Sequence, residues 1–203
     1  MNHHIKNWII ALCIWFLSIG AANAITISFS PSSQSVVVGA MVDVGVEISE
    51  LGSGVTPSLS TFDLDVSYNP GLLSLNSVSF GDSSLGDQLD VLGLGSLTSY
   101  DDSISGLINL FELSLDTASD LETLQVDSFT LATMSFNTIG IGNSPLDIVI
   151  NSLGDAEGNP LTATINPGTV SVIPLPPALP LLGSGLVALI LMGRERKKSH
   201  SLW

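Results

Sequence analysis

Through the middle of the chain, apolar residues recur at every second position. Val42, Val44, Val46 and Ile48 alternate with Asp43, Gly45 and Glu47, and Phe62, Leu64, Val66 and Tyr68 alternate with Asp63, Asp65 and Ser67. A period of two is that of a strand with one face buried, because successive side chains point to opposite sides of a sheet. Leu73 and Leu75, then Val78 and Phe80, resume the pattern after a turn at Asn69-Pro70-Gly71. Further strands are predicted over 108–115, 129–136, 145–150, 161–165 and 169–172. Turns rich in Gly, Asn, Asp and Ser separate them, at the spacing of a β-sandwich. Helical periodicity is nearly absent; residues 118–124 are predicted to make one short turn. Residues 129–136 change phase, with Phe129 and Leu131 on one face and Ala132, Met134 and Phe136 on the other, which predicts a bulge or burial of both faces.

The ends follow other rules. Lys6 precedes a 12-residue apolar run over 8–19 (WIIALCIWFLSI), and Ala22-Asn23-Ala24 then supplies a small-x-small site. Residues 1–24 are therefore predicted to be a secretory signal peptide, cleaved to leave Ile25 first. The alternative, an uncleaved anchor, needs about 20 apolar residues. At the other end, 173–193 reads IPLPPALPLLGSGLVALILMG and runs into Arg194, Arg196, Lys197 and Lys198. An apolar helix followed by a basic cluster matches the positive-inside rule and predicts a C-terminal transmembrane helix. Counted from Ala178 to Met192 that helix is only about 22 Å long. A bilayer core is roughly 30 Å, so residues from about Pro174 must contribute, or the anchor is temporary. The alternative is a hydrophobic last element of the domain. The resulting division is a signal at 1–24, one β domain at 25–172 and a Pro-rich, apolar, basic-ended segment at 173–203.

Charge sharpens this division. All five basic residues, Lys6, Arg194, Arg196, Lys197 and Lys198, lie in the end segments, whereas 18 of the 19 acids fall within residues 25–193. A surface without cations cannot hold nucleic acid phosphates and repels anionic lipid, but it suits divalent cations and neutral partners such as sugars. The only cysteine is Cys13, so the domain has no disulfide framework.

The same absences limit the chemistry. His3, His4 and His200 are the only histidines, so residues 25–172 offer neither a base for a nucleophilic hydroxyl nor the usual zinc ligands. Without Lys or Arg there is no phosphate clamp. A carboxylate pair of the glycosidase kind is the one catalytic arrangement left, with Asp63 and Asp65 on one strand face or Asp101 and Asp102 in a turn as candidates. A solvated strand face and a polar loop explain these four residues without catalysis, and no catalytic or cofactor-binding residue is assigned. A structural Ca²⁺ is the remaining cofactor candidate, since oxygen-rich loops suit it. Asp155, Glu157 and Asn159 form one such loop and Asp82, Asp87 and Asp90 another; neither fits an EF-hand, and a plain polar turn is the alternative. No tryptophan lies in the domain to stack on a sugar ring.

Two resemblances to known families add to this reading. The motif Ile173-Pro174-Leu175-Pro176-Pro177-Ala178, followed by the apolar helix and the basic tail, resembles the PEP-CTERM sorting signals of Gram-negative bacteria, in the variant group that reads Val-Pro-Leu-Pro-Ala. That resemblance implies an exosortase-type processing enzyme as partner. It also implies inner-membrane anchoring before processing, then release to the cell surface or extracellular matrix. Leu175 stands where the name-giving motif has Glu, and the same layout would serve as a plain tail anchor. The second resemblance is carried by Val36-Val37-Val38-Gly39, by Phe62-Asp63-Leu64-Asp65-Val66-Ser67-Tyr68-Asn69-Pro70, and by Leu131-Ala132-Thr133-Met134-Ser135-Phe136. With Asp155 to Pro160 and Gly168 to Val172, these resemble a cohesin domain over 27–172. It implies a nine-stranded jelly-roll sandwich akin to carbohydrate-binding modules. Its expected partner is a dockerin-like or other surface protein, or alternatively polysaccharide. The expected role is non-catalytic adhesion or scaffolding.

Overall fold

A computed structural model describes residues 24–175 of the 203. The signal sequence up to Asn23, including Ala22, and the C-terminal segment from Pro176 through Arg194, Arg196, Lys197 and Lys198 lie outside the described residues. Among those described, no helix is long and apolar enough to cross a membrane.

Eleven strands and one short helix follow in order: β1 (Thr26–Ser30), β2 (Ser33–Val37), β3 (Met41–Ser49), β4 (Leu59–Ser67), β5 (Leu73–Phe80), β6 (Ser96–Asp101), β7 (Leu107–Ser114), α1 (Ala118–Leu124), β8 (Phe129–Thr138), β9 (Gly142–Asp155), β10 (Thr164–Asn166) and β11 (Gly168–Ile173). They form two packed sheets, ordered β10-β1-β3-β8-β5 and β2-β11-β9-β4-β7-β6. The expected all-β sandwich is observed, with eleven strands in place of nine. Part of the difference is at the start. Pro31 interrupts the first extended segment, so that β1 pairs antiparallel with β3 in one sheet and β2 parallel with β11 in the other. A proline has no N–H for a ladder, so a strand can change sheets there at no cost in hydrogen bonds.

Alternation decides what is buried. Val42, Val44, Val46 and Ile48 of β3 face Phe62, Leu64 and Val66 of β4 across the interior, joined by Ile108 and Leu110, and all are buried. Phe62 of one sheet and Phe80 of the other stack at 6.4 Å between ring centroids. The phase change in β8 is a bulge: Val46 pairs with Ala132 but Glu47 with Thr130, leaving Leu131 as the extra residue. Leu131 and Ala132 are consequently both buried. The turn after β4 is closed by Asn69, whose Oδ1 accepts the Gly71 N–H at 2.9 Å. Gly106 packs beneath it at φ +86°, where a Cβ would lie 3.0 Å from Pro70 Cδ.

The helix at 118–124 is a local solution with a tertiary purpose. Thr117 caps it, accepting the Asp120 N–H. One turn on, Leu121 enters the core and the chain leaves the helix at Gln125, which is buried. Ile25, just before β1, is buried, and its carbonyl accepts the Thr164 N–H at 2.8 Å. The last strand, β11, ends at Ile173.

Candidate functional site

The outward face of the β9-β4-β7-β6 half of the larger sheet concentrates the exposed chemistry. Residues facing the core from β4 and β7 have the parity of Leu64 and Leu110, so Thr61, Asp63 and Asp65 point outward beside Asn109, Phe111 and Leu113. Register places them in rows. Asp101, Asn109, Asp65 and Val149 lie across one row, and Ser99, Phe111 and Asp63 across the next. Leu97, Leu113 and Thr61 form a third. One end of the face is thus acid and amide and the other apolar; Leu97 and Val149 are more than half exposed.

The polar end is pre-ordered. Asn109 Nδ2 donates to Asp63 Oδ1 at 2.6 Å and to Asp65 Oδ1 at 2.8 Å. Asn151 Nδ2 donates to Asp63 Oδ1 from the other side at 3.2 Å. Two carboxylates on one strand face, with no cation in the domain, are held together by amide donors, which use their positive ends where a Lys or Arg would otherwise sit. Asp101, the last residue of β6, accepts the Ser103 N–H at 2.9 Å, and that bond holds its carboxyl below the usual carboxylate range. Asp65, Asp101, Asn109 and Asn151, with Ser103 and Ile104, line a groove of about 310 Å³. A second groove of about 340 Å³ lies at the other end of β4, between Thr61, Leu113 and the turn at Asp155–Asn159.

The structure therefore unites three of the four acids that sequence reasoning singled out as possible carboxylate pairs. Asp63 and Asp65 share a face, and Asp101 joins them from a neighbouring strand. Asp102 lies in the loop beyond. What reasoning missed is the residue that joins them, Asn109. Its signal was available, since Asn109 has the outward parity of β7, opposite Ile108 and Leu110.

The oxygen-rich loops serve as turn clamps. Asp155 Oδ1 accepts the Asn159 N–H at 2.6 Å and Oδ2 the Asn159 side-chain amide at 2.9 Å. Burial works against the Asp155 carboxylate, but these bonds outweigh it and hold its pKa below the ordinary value. Glu157 is pushed the other way, chiefly by the Glu122 carboxyl beside it. In the other loop, Asp82 accepts the N–H groups of Ser84, Leu85 and Thr130, which lowers its pKa. Asp87 and Asp90 accept from Leu89 and Gly95 respectively. Among the described residues, no group of three or more His, Cys, Asp or Glu side chains is arranged to hold a metal ion. Of the sorting motif, Pro174 and Leu175 are exposed just past β11, and Ala24 is exposed just before β1. Pro176 lies outside the described residues.

Comparison with known proteins places the fold. No family model and no curated protein matches the sequence. Solved structures do match, cohesins among them. One is a chain of the type I Coh-OlpA–Doc918 cohesin–dockerin complex from Clostridium thermocellum, with TM-score 0.58 and 17% identity over 74% of this chain and 100% of that one. Another is CaCohA2 of Clostridium acetobutylicum, with TM-score 0.56 and 17% identity over 73% and 90%. A third is the non-cellulosomal cohesin of the archaeon Archaeoglobus fulgidus, with TM-score 0.55 and 18% identity over 74% and 91%. At this identity the likeness is one of fold: the domain is a cohesin-like β-sandwich.

Proposed function

We propose that this chain is an exported, non-catalytic attachment module that docks a partner protein on the outward face of β9-β4-β7-β6. The observation that carries the reading is the composition of that face on a cohesin-like fold. An apolar end (Leu97 and Leu113, with Phe111 in the next row) adjoins a pre-ordered acid–amide cluster (Asp63, Asp65, Asn109), which is how protein interfaces combine burial with orientation. The neighbours include cohesins solved in complex with dockerins, and a dockerin-like surface protein is the partner class this favours. Because the face carries carboxylates and no cation, the partner is expected to present Lys, Arg or hydroxyl groups to it. The absence of His, Cys, Lys and Arg from the domain supports a non-catalytic role.

Export and sorting complete the proposal. The signal at 1–24 and the Pro-rich, apolar, basic-ended segment at 173–203 support passage through the inner membrane, exosortase-type processing and display at the cell surface or in the matrix. Intact mass of protein recovered from cells and medium tests this part; a species retaining Arg194 to Trp203 means a permanent anchor instead. Docking is tested by measuring affinity for candidate dockerin-bearing envelope proteins with Phe111→Asp and Asp63→Lys variants. Undiminished affinity in both would remove this face from consideration.

A second reading is favoured by the groove at Asp65, Asp101, Asn109 and Asn151, whose carboxylate and amide groups suit sugar hydroxyls. Retention on matrix polysaccharides, abolished by Asn109→Ala, would select it; no retention on any polysaccharide would end it.

A further inference from the structure

Glu112 is a fully buried acid on the inner face of the larger sheet. It shares the parity of Ile108 and Leu110 on β7, and its side chain has no solvent exposure. The long connection from Gly81 to Gly95, between β5 and β6, folds over it. That connection drives Leu89 into the core and brings Asp87 and Asp90 towards the Glu112 carboxyl. Ser96 stands between the two chains. Its Oγ donates to Glu112 Oε1 at 2.6 Å and lies 3.3 Å from Asp87 Oδ2. A hydroxyl has one proton, so it satisfies only one of these carboxyl groups. Glu112 Oε2 is left buried without a partner.

The surroundings narrow what can satisfy that oxygen. From the covering loop come Asp87 and Asp90, and from β6 comes Ser96. Phe62, its register partner on β4, is apolar, as is Phe80, which stacks on Phe62 from the opposite sheet. The sequence has no Lys or Arg between residues 7 and 193 and no His between 5 and 199. An ionised Glu112 would thus be a buried charge facing two further carboxylates with no counter-ion, which costs several kcal/mol. A proton removes that cost, and makes Oε2 a donor directed at a carboxylate.

We propose that Glu112 is held as the neutral acid and donates a hydrogen bond to Asp87, forming a proton-dependent latch that keeps the β5–β6 connection closed over β7. Burial first, then the adjacent Asp87 and Asp90, raises the pKa of Glu112 to about 8. The latch is therefore closed in acid and neutral conditions and opens on the alkaline side. On ionisation the three carboxylates repel, and the connection loosens together with β6, the edge strand of the proposed docking face. The proposal concerns the latch alone and stands whether or not that face binds a partner.

The test compares the full-length chain, held in detergent, with Glu112→Gln, which keeps both hydrogen bonds and cannot ionise. Infrared spectra of the wild type should show a protonated-carboxyl band at pH 6 that disappears as pH rises through about 8 and is missing from the variant. Hydrogen exchange at Leu89, Leu92 and Gly95, corrected by the variant's rates, should accelerate over the same range, by up to about tenfold per pH unit. Asp87→Asn provides an independent check, because removing that charge should lower the midpoint. No such band at pH 6, or a midpoint indifferent to Asp87→Asn, would overturn the proposal. So would stabilisation by millimolar CaCl₂ at pH 7 with proton release, which would show a cation, and not a proton, between the carboxyl groups.

Discussion

Gln125 and Leu59 exchange two hydrogen bonds as if they were paired residues of a sheet. The Leu59 N–H donates to Gln125 Oε1 at 2.6 Å, and Gln125 Nε2 donates to the Leu59 carbonyl at 2.8 Å. The same Nε2 also reaches the Gln88 carbonyl at 2.8 Å. One side chain, delivered by the end of α1, thus stands in for a strand at the start of β4 and ties in the β5–β6 connection. Replacing it with Leu keeps the volume but orphans buried backbone groups on both segments. Unfolding in urea should show a loss of about 3 kcal/mol, given roughly 1–3 kcal/mol per buried unsatisfied group. A loss below about 0.5 kcal/mol would mean that water replaces the amide.

Gly168 and Phe29 touch at the point where β11 passes β1. A Cβ at Gly168 would lie 2.8 Å from Phe29 Cδ2 and 2.9 Å from its Cβ, and Phe29 is itself buried. Gly168→Ala should therefore destabilise by about 1–3 kcal/mol through overpacking. The double variant Gly168→Ala, Phe29→Leu should recover part of that loss, as measured by thermal unfolding.

Acid should loosen the turns. Backbone N–H groups of Ser84 and Leu85, foremost, lower the pKa of Asp82 below 3.8, and Asn159 does the same for Asp155 against the opposing effect of burial. A carboxylate with a depressed folded-state pKa stabilises above its unfolded value, and that contribution disappears as pH falls through the folded one. Melting temperature should accordingly fall below about pH 4, and Asp82→Asn should flatten the decline. This window is separate from that of Glu112, whose raised pKa makes stability decline from about 4.5 towards 8 as pH rises.

Calcium is expected to leave the folded domain unmoved at the 155–159 loop. Both carboxylate oxygens of Asp155 already accept hydrogen bonds from Asn159, so a cation there must displace them. Addition of millimolar Ca²⁺ should leave the melting temperature of the wild type unchanged; a rise that Asn159→Ala abolishes would reveal a site.

The acid–amide row offers a test of pre-ordering. Asn109→Leu removes the donor shared by Asp63 and Asp65 on a partly exposed face, so stability should drop by only about 1 kcal/mol or less. Partner binding should fall much more if the row orients the ligand.

Sequence and structure contributed differently to this picture. Alternation at Val42–Ile48 and Phe62–Tyr68 was enough to predict strands, their buried faces and the sandwich, because side-chain parity is a local property of extended chain. The same parity set Asp63 and Asp65 on the outside and, read strictly, Glu112 on the inside. The phase slip at Leu131 announced its bulge, and residues 118–124 their helix. By contrast, Ser96–Asp101 carries little alternation and is a strand because β7 offers it a ladder. The split of the first strand at Pro31 depended on which sheet edges were free.

The individual sites were decided by register. That Asn109 lies within reach of both Asp63 and Asp65, that Gln125 meets Leu59, and that Asp87 faces Glu112 all depend on pairings between segments 25 to 66 residues apart. No local periodicity encodes such distances. Sequence alone determined an acidic β domain with every Lys and Arg outside it. Only tertiary packing decided which acids are neighbours, and whether an amide, a hydroxyl or a proton keeps them together.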